Sequence, residues 1–72
     1  MTMTMDEWIA AFCREAGVQP PTAREVTELL NLAATAAHAS ERPAAPLTCW
    51  VASRSARPID ELLLAAKRLA SN

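Results

Sequence analysis

His38 is the one side chain of this 72-residue chain whose ordinary pKa lies near neutrality, and Arg42 follows it by one helical turn. Asn31, Thr35, His38 and Arg42 recur at spacings of four, three and four, a polar row beside an apolar one that contains Ala33 and Ala37. Two chemistries fit that row. In the first, His38 ends a helix by bonding its last carbonyls or by packing on Trp50. In the second, Arg42, His38, the Thr48 hydroxyl and free amides at a helix start beyond Pro46 converge on a phosphate or carboxylate. His38, Arg42 and Thr48 are therefore the candidate binding residues.

Other reactive patterns are weak. A nucleophilic cysteine needs a base that a third group orients. Cys13 and Cys49 instead fall inside apolar helical patterns, and a single His serves the whole chain. A zinc site takes three or four ligands, and no CxxC pair supplies them, so no metal and no cofactor are expected. Asp6-Glu7 and Asp60-Glu61 sit in first helical turns, where the helix dipole accounts for paired carboxylates without acid–base work. The only glycine, Gly17, leaves no glycine-rich phosphate loop. Ser40, Ser53, Ser55 and Ser71 are wrongly placed for an acyl-carrier attachment site. Catalysis is not expected.

A DNA-reading helix carries exposed Arg, Lys, Asn or Gln in its first turns. Thr22-Ala23-Arg24-Glu25 and Pro46-Leu47-Thr48-Cys49 do not, and a net charge of −1 argues against a nucleic-acid partner. The charge is split, with −4 over residues 1–41 and +3 over residues 42–72. An acidic half packing on a basic half explains the split; a basic face for an acidic partner is the alternative.

The elements that must position these residues are clearly punctuated. Thr4 with Glu7, and Thr22 with Glu25, read as capping boxes that open two helices. Gly17 stops the first, and Pro20-Pro21 and Pro43 bound the second. Pro46 fits a first helical position, and Pro58 restarts a last helix that has acids at its start and Lys67 and Arg68 near its end. The expected fold is a compact all-α four-helix bundle in one domain over residues 1–72, with helices at about 5–16, 22–40, 46–55 and 58–70. The predicted core stripes are Met5, Trp8, Ile9, Phe12, Cys13 and Ala16; then Val26, Leu29, Leu30, Ala33, Ala36 and Ala37; then Leu47, Trp50 and Val51; then Ile59, Leu62, Leu63, Ala66, Leu69 and Ala70. Trp8, Phe12 and Trp50 are expected to supply much of the buried area. Leu32 lies off its stripe, as a lone exposed Leu or the edge of a contact surface.

Size limits function. Of the 51% apolar residues, 16 are Ala, so any core is small. A walled pocket of about 300 Å³ would hollow it out. No apolar run reaches the ~18–20 residues of a membrane span. Met1–Met5 alternate with Thr and show no signal-peptide pattern, so a cytoplasmic setting with reduced thiols is expected.

The stretch Ala37-His38-Ala39-Ser40-Glu41-Arg42-Pro43-Ala44-Ala45-Pro46-Leu47-Thr48, with Met5-Asp6-Glu7-Trp8-Ile9 and Leu29-Leu30-Asn31-Leu32-Ala33, resembles a family of small bacterial domains of unknown function. Its members stand alone or are fused to molybdopterin-guanine dinucleotide biosynthesis proteins, the molybdenum cofactor guanylyltransferases. The resemblance spans roughly residues 3–70 and implies an accessory role, with no catalytic residues to carry over. The expectation is a non-catalytic domain that binds a protein partner in molybdenum cofactor maturation. The alternatives are a module for a phosphorylated small molecule, such as a pterin or nucleotide, and self-association through Leu32, Leu64 and other off-stripe apolar residues.

Overall fold

The computed structural model describes residues 2–71, which form four helices and no strand: α1 (Met5–Ala16), α2 (Ala23–Ala39), α3 (Ala44–Ser53) and α4 (Ile59–Ala70). Both capping boxes close. The Thr4 hydroxyl oxygen accepts from the Glu7 amide at 3.1 Å, and the Glu7 carboxylate accepts from the Thr4 amide at 2.8 Å. Thr22 and Glu25 repeat the arrangement at the same two distances. Gly17 takes the left-handed backbone (φ 72°, ψ 34°) that it alone adopts cheaply, and both its amide and that of Val18 return to the Cys13 carbonyl.

The Thr4 amide, and after it the Thr4 hydroxyl, hold the Glu7 carboxyl below its ordinary pKa. A depressed pKa in the folded state stabilises the first turn above the unfolded pKa, and that support is lost as pH falls through the folded value. The Thr4 amide signal should therefore titrate in acid with a midpoint below that of an ordinary Glu, and Glu7→Gln should abolish the titration. A midpoint at or above the ordinary value would mean the box is open.

α3 starts two residues earlier than its proline suggests. Ala44 and Ala45 donate to the Glu41 and Arg42 carbonyls at 2.9 and 3.0 Å, so a tight turn leads straight into the helix. Pro46 then occupies the third helical position rather than the first. It is tolerated there because the first four amides of a helix have no intrahelical partner. α3 also ends early, at Ser53, where the Arg54 and Ser55 amides fold back onto the Val51 and Ala52 carbonyls. α2 and α4 lie within a residue of their expected bounds at each end.

These helices make an all-α four-helix bundle of 41 × 29 × 18 Å, built around α2. α3 and α4 both pack on α2, and α1 makes no comparable packing with any helix. Two neighbours widen the arc that α2 buries. It runs from Glu28 and Thr35 through Leu29 and Ala36 to Val26 and Ala37, about 200° at 100° per residue. Leu32 sits within the arc at 2% exposure, the one fully buried side chain among the described residues. The expectation of an off-stripe Leu32 is thus reversed, while Leu30, expected inside, is half exposed.

The aromatic core is also corrected. Trp8, Phe12 and Trp50 are all more than half exposed. α4 buries Ile59, Leu62, Leu63 and Ala66 only partly, and Leu69 and Ala70 in its last turn face solvent. The largest reversal is in α3. Ala44, Ala45, Thr48, Cys49 and Ala52 are half-buried, whereas Leu47, Trp50 and Val51 point outward. α3 thus turns its small residues inward, where it packs on α2, and its large ones outward.

Candidate functional site

The two ends of the expected binding cluster differ in environment. His38, in the last turn of α2, and Arg42, in the turn that follows, are exposed, whereas Thr48 is half-buried on the inner face of α3. Among the described residues no hydrogen bond or ion pair joins any two of the three. The helix start expected beyond Pro46 lies before it instead. The Ala44 and Ala45 amides serve the preceding turn, and Pro46 has none. What remains at this junction is an exposed cation beside an exposed imidazole.

Cys13 and Cys49 are free and half-buried. Among the described residues no group of three His, Cys, Asp or Glu side chains is placed to hold a metal ion. Among the described residues no helix is long and apolar enough to cross a membrane.

The chemistry the surface does offer is apolar. On α3, Leu47, Trp50, Val51 and Arg54 share one side of the helix, the Arg54 guanidinium lying 4.9 Å from the Trp50 ring centroid. Trp50 is 61% exposed, with Leu47 and Val51 similar; Arg42 lies in the turn that feeds this helix, and His38 in the last turn of α2. An indole held by a cation–π contact is a rigid, amphipathic surface group of the kind that anchors protein interfaces. On α1, Trp8 and Phe12 stack with ring centroids 6.1 Å apart and planes 13° from parallel. Beside them a groove of about 640 Å³ opens between α1 and α2, lined by Met5, Ile9, Ala10, Pro21, Val26 and Leu30 among others.

The spacing of Leu47, Trp50, Val51 and Arg54 is visible in the sequence, but their outward direction is not. α3 is apolar nearly all round, and composition cannot choose between its two apolar sides. The structure makes that choice testable. Trp50→Ala should change the unfolding free energy by no more than about 0.5 kcal/mol, as for other surface positions. Urea denaturation followed by circular dichroism measures it, and a loss of several kcal/mol would mean the indole is buried.

A family model described as a domain of unknown function (DUF6457) matches residues 1–71. Neither the comparison with curated proteins nor that with solved structures found a match.

Proposed function

The chain belongs to the DUF6457 family of domains of unknown function, and from that premise and its surface we propose that it is a non-catalytic accessory domain that docks a protein partner through the outer face of α3. The observation that carries this reading is the reversal of α3. A helix that turns Leu47, Trp50 and Val51 to solvent while burying alanines leaves its largest apolar groups free for another molecule. Trp50, fixed by Arg54, is the anchor. Arg42 and His38 form a polar rim beside it, and Thr48 supports α3 from the inner side. Rim charges of this kind steer association and set its salt dependence more than they add affinity.

The setting we propose is molybdenum cofactor maturation, with a molybdenum cofactor guanylyltransferase as the partner. The resemblance of the Ala37–Thr48 segment to domains fused to such enzymes supports it. A cytoplasmic, reducing compartment suits that setting and the two free thiols.

The test is a titration of the purified domain with purified guanylyltransferase from the same cell, followed by amide shifts and calorimetry. Binding should move the α3 signals, and Trp50→Ala should weaken it at least tenfold with the fold unchanged, as for an aromatic anchor. Absent binding, or binding indifferent to Trp50, overturns the proposal. So does a parallel titration in which phosphate, nucleotide or pterin shifts Thr48 and Cys49, which would establish the small-molecule reading instead.

A further inference from the structure

The molecule exposes more surface than a chain of its mass should. Its accessible area is 5853 Å², whereas a folded monomer of 7.8 kDa is expected to expose about 4,400 Å². The excess, roughly 1,400 Å², exceeds the ~800 Å² that each partner contributes to a standard interface. α1 contributes to it, since it packs on the rest far less than α3 and α4 do.

The α1 surface carries both halves of a joint. Met5, Ile9 and Ala10 border the groove against α2, and Trp8 and Phe12 stand as a stacked ridge about a quarter-turn further round the same helix. Trp8 is 57% and Phe12 59% exposed. A two-fold interface requires one patch to hold both the feature that inserts and the feature that receives it. Ridge and groove side by side meet that requirement, and because residues 1–41 carry −4 in each copy, added salt should tighten the pairing.

We propose that the α1 face is a homodimer interface, in which the Trp8–Phe12 ridge of each chain enters the α1–α2 groove of a second copy. Leu32 has no part in it, being inside the fold. The inference is independent of the α3 docking face, and the two fail separately: dimerisation is read without any partner present, and Trp50 lies outside the dimer surface.

Light scattering coupled to size exclusion, over a hundredfold range of concentration, tests it. The expected mass at high concentration is twice the 7.8 kDa of one chain. Trp8→Ala with Phe12→Ala should raise the dimer dissociation constant at least a hundredfold while helical circular dichroism is retained, since both rings are exposed. Leu30→Glu, in the groove wall, should do the same and serves as a second reading if the double variant fails to fold. Trp50→Ala should leave the dimer intact. A single-chain mass at every concentration overturns the inference. A mass rising past two chains also overturns it, as does a dimer that survives the α1 variants but not Trp50→Ala.

Discussion

Replacing Leu32 with Ala should lower the unfolding free energy by about 2–5 kcal/mol, the range for deleting a buried Leu side chain. A domain of this length is expected to have a total stability of only about 4–11 kcal/mol, so the variant would lose a large part of it. The reason lies in the arrangement of the helices. Among the described residues α2 is the only helix that packs substantially on two others, and Leu32 stands within the arc it buries. Among the described residues no other side chain is fully enclosed, so Leu32 is the centre of what core there is. Urea denaturation followed by helical circular dichroism gives the difference. A loss below about 1 kcal/mol would mean that α3 and α4 do not close over Leu32.

The position of Leu32 also shows where sequence patterning stops being informative. Helix ends are legible because their causes are local. Thr4 with Glu7 and Thr22 with Glu25 satisfy amides within one turn, and Gly17 reverses the chain by its own backbone freedom. Pro46 misleads by two residues because a proline is tolerated at more than one position of a first helical turn. Which side of a helix faces inward is a different kind of question. A single apolar stripe describes a helix with one neighbour, and α2 has two. Its buried arc is therefore wider than the stripe suggests, about 200° against about 120°, and centred elsewhere.

The site was legible to a lesser degree for the same reason. His38 and Arg42 are recognisable as the polar cluster at the end of α2, and both are exposed. Thr48 falls on the opposite side of α3 from Trp50, which the sequence could not indicate while either apolar side of that helix was a possible core. The stacking of Trp8 on Phe12 follows from their spacing of four residues. Their exposure follows from the sparse packing of α1, a property of the whole fold.

The tolerance of α3 to substitution should accordingly be the reverse of what its residue sizes suggest. Ala52→Trp is expected to cost about 1–3 kcal/mol, because an added indole must either push α3 off α2 or force side chains out of their rotamers. Ala52 is half-buried on the side of α3 that packs on α2, so a large ring there meets the neighbouring helix. Two residues away, Trp50→Ala removes an indole that touches chiefly Arg54 and solvent. Measured side by side by urea denaturation, the small-to-large change should be the damaging one and the large-to-small change nearly silent. The opposite order would put the indole in the seam and the alanines outside, and would remove the exposed aromatic face on which the docking role rests.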